Sequence, residues 1–141
     1  MNAARTSSFI TTFNAAVLGI GGVALLFGSD ELLPRLMPGM PAGATVLGQL
    51  ISAGWLALAW LNWNQRRMIV GGIYGRPTTL ANLMLYLVSA CSLGHPVLAG
   101  GAPRAMGFLT VLFAVMTGIY GTLLMRGPFG ADKPAGAGAG G

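Results

Sequence analysis

The sequence predicts an all-α protein, a transmembrane four-helix bundle arranged as two helix hairpins. Three observations predict it. Hydrophobic residues make up 54% of the 141 residues and charged residues only 8%, against about 25% in an average soluble domain. A water-facing surface so poor in charge would expose large apolar patches, which soluble monomers avoid. Four windows of low polarity are each long enough to cross a hydrocarbon core about 30 Å thick, which takes about 20 apolar residues. Clusters of Gly, Pro and charged residues separate the windows.

The first window, Phe9–Phe27, contains no ionisable side chain and follows Arg5. It is long for the apolar core of a signal peptide, and no small-x-small cleavage site follows it, so it is expected to remain as a helix. Ser29-Asp30-Glu31, Pro34, Pro38 and Pro41 are expected to fill the first connection. The second window, Thr45–Trp63, is again free of ionisable groups, and the polar stretch from Gln65-Arg66-Arg67 to Gly75-Arg76-Pro77 follows it. The third window, Thr79–Leu98, contains His95 alone, and Pro96 is expected to bias that histidine away from helical geometry. Gly100-Gly101-Ala102-Pro103-Arg104 leads into the last window, Met106–Met125. Residues 1–126 thus form the membrane domain, and the Gly/Ala-rich residues 127–141 read as a flexible tail. Each window must be helical because lipid offers no partner to an unpaired backbone amide. The ~10-residue alternating strands of a barrel are absent.

Basic residues predict the orientation. Arg5, Arg66, Arg67, Arg76, Arg126 and Lys133 fall on one side, and only Arg35 and Arg104 on the other. The positive-inside rule then places both termini and the middle connection in the cytoplasm. The net charge of +5 therefore belongs to membrane topology. No basic patch with interleaved aromatic residues accompanies it, so nucleic acid is not an expected partner.

The two halves show a weak internal repeat. Asn14 matches Asn82, Pro34-Arg35-Leu36-Met37 matches Pro103-Arg104-Ala105-Met106, and Thr45-Val46-Leu47 matches Thr110-Val111-Leu112. Both halves start and end on the same side, so the repeat would be parallel, about an axis along the membrane normal. In that arrangement Asn14 and Asn82 would face each other.

Chemistry is constrained mainly by exclusion. No Asp, Glu, Lys or Arg lies within the four windows, whereas proton-coupled pumps need an ionisable group at membrane depth. Small multidrug transporters share this size and helix number but depend on an embedded glutamate, and position 14 here is Asn. Cys91 and His95 sit four apart on one helix face, too few ligands for a metal, so no metal or cofactor is expected. No nucleophile–base or carboxylate pair stands in the windows, and the protein is expected not to be an enzyme.

The remaining candidates are contacts. Asn14, Gln49 and Asn82 are suited to interhelical hydrogen bonds. Small-residue faces are formed by Ala15, Gly19 and Gly22, by Gly48 and Ser52, and by Ala114, Gly118, Gly121 and Thr122. Such faces let helix backbones approach within one chain or between chains. Trp60, Trp63, Tyr86 and Tyr120 read as an interfacial belt, and Trp55 falls near the midplane. Arg66, Arg67 and Arg76 are candidates for binding lipid headgroups or an acidic partner loop.

The hydropathy profile, with Gly54-Trp55 and Leu61-Asn62-Trp63, resembles that of small uncharacterised bacterial four-helix integral membrane proteins. The likeness implies the fold and no functional residue. The function expected is that of a structural or accessory subunit, in a homo-oligomer or with other membrane subunits of a larger complex, of respiratory or photosynthetic type for example. The alternative is a passive channel or carrier for a small neutral solute.

Overall fold

The computed structural model describes residues 3–68 and 74–126. Helix α1 spans Ala3–Leu36, α2 Thr45–Gln65, α3 Arg76–Leu98 and α4 Arg104–Arg126, with a short 3-10 turn at Ala42–Ala44. No strand occurs among the described residues. All four helices are long and apolar enough to cross a membrane, and the chain is accordingly a multi-pass, all-α membrane protein. The tail expected over 127–141 lies outside the described residues.

Two expectations about helix ends are corrected. Helix α1 does not stop at Phe27; it continues through Ser29-Asp30-Glu31 and Pro34 to Leu36. Gly28 leaves helical geometry (φ −120°, ψ 18°) and kinks the helix instead of ending it, as a Gly-Ser pair can. The Ser29 hydroxyl donates to the Leu25 carbonyl across this kink. Glu31 and Arg35 pair at 3.6 Å on the exposed face beyond it. At 1.5 Å per residue, 34 residues measure about 51 Å, well beyond a hydrocarbon core. Helix α3 likewise runs through Pro96 to Leu98 and keeps His95 helical.

The helices pair in sequence order: α1 packs chiefly on α2, and α3 on α4. Glycine makes the first pairing close. An added Cβ at Gly22 would fall 2.8 Å from Leu56, and one at Gly48 only 2.6 Å from the Ser29 hydroxyl and 2.9 Å from Leu33. Between the hairpins the backbones stay farther apart, and large side chains fill the gap. Trp55 meets Phe113 edge-on at 5.9 Å, and Tyr86 lies 5.6 Å from Phe113 and stacks on Tyr120 at 5.9 Å. With Leu18, Ala59, Met116 and Leu123 they form one core.

The inward stripes run at alternating spacings of three and four residues. They read Ser7, Thr11, Asn14, Leu18 on α1; Ser52, Trp55, Ala59, Asn62 on α2; Thr79, Asn82, Tyr86 on α3; and Phe113, Met116, Tyr120, Leu123 on α4. Such a spacing keeps one face turned to a neighbouring helix. Polarity is inverted relative to a soluble domain. Phe9, Ile20, Phe27, Leu50, Leu98, Phe108 and Val111 are exposed, while Ser7, Thr11, Asn14, Ser52, Asn62, Thr78, Thr79 and Asn82 are buried. Lipid accepts the apolar exterior at no cost, but polar groups must find protein partners.

Replacing Gly48 by Leu should cost about 1–3 kcal/mol by overpacking the α1–α2 contact, read as unfolding in bicelles. Gly54→Ala, where an added Cβ meets nothing within 4 Å, should leave stability unchanged or slightly raised.

Candidate functional site

Apart from Ser29 and Ser52, the buried polar residues gather where α1 begins, α2 ends and α3 begins, beside the end of α4. Asn82, one turn and a half into α3, is the node. Its Oδ1 accepts from Asn14 Nδ2 on α1 at 2.8 Å and from Asn62 Nδ2 on α2 at 3.0 Å. Its own amide donates to Asn62 Oδ1 at 3.0 Å and to the Thr78 carbonyl at 2.8 Å. Asn62 also donates to the Leu58 carbonyl at 2.8 Å, and the Tyr86 hydroxyl donates to Asn14 Oδ1. All three asparagines and Tyr86 are completely buried, at 0% exposure. Three helices are thereby joined by side chains that carry no charge.

Around the node lies a second ring. The Thr78 hydroxyl donates to Gln65 Oε1 at 2.5 Å, tying the start of α3 to the end of α2. Thr79 donates to the Gly75 carbonyl at 2.9 Å and Thr11 to the Ser7 carbonyl at 2.9 Å. Helical hydroxyls commonly satisfy themselves in this way on their own turn. The arrangement can hold helices together and can hydrogen-bond a neutral molecule.

Several candidates named from the sequence meet at this site and others stand apart. Asn14 and Asn82 are hydrogen-bonded to each other. Gly19 packs near Ala59, where an added Cβ would lie at 3.8 Å, and Gly22 packs against Leu56, so both serve the α1–α2 contact. Ser52 is buried in that hairpin and donates to the Gln49 carbonyl at 2.7 Å. The Gln49 side chain is exposed, away from the node. Trp55 fills space between the hairpins against Phe113. Gly118 faces outward with nothing within 4 Å of an added Cβ. Arg66 lies 4.0 Å over the Trp63 ring and donates to the Trp63 carbonyl at 2.6 Å. Arg67 and Arg76 are exposed at the same end. Cys91 and His95 are both exposed on α3, and no group of three metal-ligating side chains occurs among the described residues.

The expected aromatic belt is corrected for its two tyrosines. Trp60 and Trp63 are 70% and 46% exposed, whereas Tyr86 and Tyr120 are at 0%. The tyrosines belong to the core because they fall on the inward stripes of α3 and α4, a spacing that outweighs their nearness to the helix ends. Gln65, read from the sequence as the start of a polar connection, lies in α2, as does Asn62, a site residue that the second window contained without singling it out. The sign that would have found Asn62 is its place seven residues after Trp55 and three after Ala59.

Asn82→Leu should destabilise the fold by about 2–3 kcal/mol, since Asn14 and Asn62 each lose a buried partner. In a cycle with Asn14→Leu the double variant should lose less than the sum of the singles, measured by unfolding in bicelles.

Comparison of this chain with protein-family models, curated proteins and solved structures finds no match.

Proposed function

We propose that this chain is a non-catalytic subunit of a membrane assembly, docking through the outer face of α4. One observation carries the reading. Of the small-residue faces, those of α1 and α2 are used inside the first hairpin, but Ala114, Gly118 and Thr122 lie exposed at successive turns of α4. An added Cβ at Gly118 would meet nothing within 4 Å. Lipid gains nothing from a glycine on a helix, and glycine costs helix stability there. A second helix gains close backbone approach. The hydrogen-bonded node supports the same reading, because its amides are spent on one another rather than presented along a passage.

We further propose that the basic end faces the cytoplasm of a bacterium and seats anionic lipid. The bias of Arg5, Arg66, Arg67 and Arg76 supports this, as does Arg66 anchored over the exposed Trp63 ring.

Extraction in a mild detergent followed by mass measurement should give particles of at least two chains, or of this chain with other subunits. Gly118→Leu should reduce them to single chains while keeping the fold, since Leu is the better helix former. A wild-type single chain that conducts neutral solute in proteoliposomes would overturn the subunit reading in favour of a carrier. Replacing Arg66, Arg67 and Arg76 together by Gln should abolish retention of anionic lipid through purification.

A further inference from the structure

The Tyr120 hydroxyl stands beside the node without a partner. Its residue is at 0% exposure, and the hydroxyl is the one buried side-chain polar atom among the described residues that makes no hydrogen bond. Tyrosine hydroxyls usually find a partner when buried, and leaving one unmade costs about as much as a whole hydrogen bond is worth, or more. Tyr120 also lines a cavity of about 10 Å³ with Thr11, Asn62, Gln65, Thr79 and Asn82. That is about the room one water-sized molecule needs.

The lining specifies the chemistry of an occupant. Asn62 Oδ1 accepts one hydrogen bond and retains a second lone pair, as does Gln65 Oε1. Thr11 and Thr79 donate to their own helices, which leaves their oxygens free to accept. Tyr120 can donate or accept. The cavity is thus rich in acceptors, with a tyrosine hydroxyl able to complete the set. An occupant must donate at least one hydrogen bond and be able to accept one from Tyr120. It must also be neutral, because the lining residues carry no charge to offset a buried ion. Water and ammonia satisfy all three conditions and are of the size that about 10 Å³ admits.

We propose that this cavity is a binding site for one small neutral hydride, water or ammonia, held by Tyr120 and by the spare lone pairs of Asn62, Gln65 and the threonines. It lies on the inward side of α4, so it stands or falls separately from docking through the outer face of that helix.

Tyr120→Phe tests the site by the sign of its effect, because it removes one oxygen and keeps the ring. If the hydroxyl holds an occupant, the folding equilibrium constant of the full chain in bicelles should fall by about fivefold, the loss of one net hydrogen bond. If the cavity is dry, removal of an orphaned hydroxyl should leave the constant unchanged or raise it by about fivefold or more, which overturns the proposal. Should the variant fail to fold, NMR of the wild-type protein decides. Magnetisation transfer from water or ammonia protons to the Tyr120 ring is expected, and its absence with both overturns the site. Replacing sodium chloride by ammonium chloride at fixed pH and ionic strength separates the two ligands. Stabilisation of wild type but not of Tyr120→Phe identifies ammonia, and transfer from water without such stabilisation identifies water.

Discussion

A primary amide buried inside a membrane bundle has nowhere to go but another protein group, and Asn82 is where that constraint converges. It has two donor hydrogens and two acceptor lone pairs, and all four are used: by Asn14, by Asn62 twice, and by the Thr78 carbonyl. Each interhelical bond of this kind is worth only about 0.6–2 kcal/mol. Their value lies equally in geometry. A Leu at position 82 could slide against its neighbours, whereas an amide with four fixed partners selects one rotation of α3 and one register against α1 and α2. The aromatic core then follows, because that rotation brings Tyr86 onto Phe113 and Tyr120.

The two kinds of helix contact divide the work. Within the first hairpin, Gly22 and Gly48 permit backbone approach that a Cβ would block. Between hairpins, aromatic rings and amides bridge a wider gap. Neither contact draws on the hydrophobic effect, since lipid is as apolar as Leu; both depend on packing and on polar groups with no alternative partner.

The fold was legible in the sequence because the bilayer reduces the problem to length and charge: windows free of Asp, Glu, Lys and Arg must be helices of a certain size. Helix ends were less legible. Pro34 reads as part of a connection and Pro96 as a departure from helical geometry at His95, yet both are accommodated within their helices. Half of the site was visible in the matching positions of Asn14 and Asn82. Asn62 falls within the second window, but its place beside the polar run Asn64, Gln65, Arg66 and Arg67 hides that it faces inward. Its inward orientation follows from spacing to Ser52, Trp55 and Ala59, a pattern that polarity averages away. Tyr86 and Tyr120 were misplaced for a related reason: a tyrosine near a membrane boundary has a favourable resting place at the interface, and only phase along the helix tells which face it takes.

The hydrogen bonds of the node that cross between hairpins, from Asn14, Asn62, Gln65, Thr78, Asn82 and Tyr86, lie at the same end as the covalent link from α2 to α3. Tether and fastening therefore coincide, and farther along the hairpins ring contacts such as Trp55 on Phe113 join them. A body clamped by hydrogen bonds at one end and held by ring contacts farther along has a built-in pivot. Its cheapest deformation is a splaying of the α1–α2 and α3–α4 turns away from each other, with the asparagines as the fulcrum.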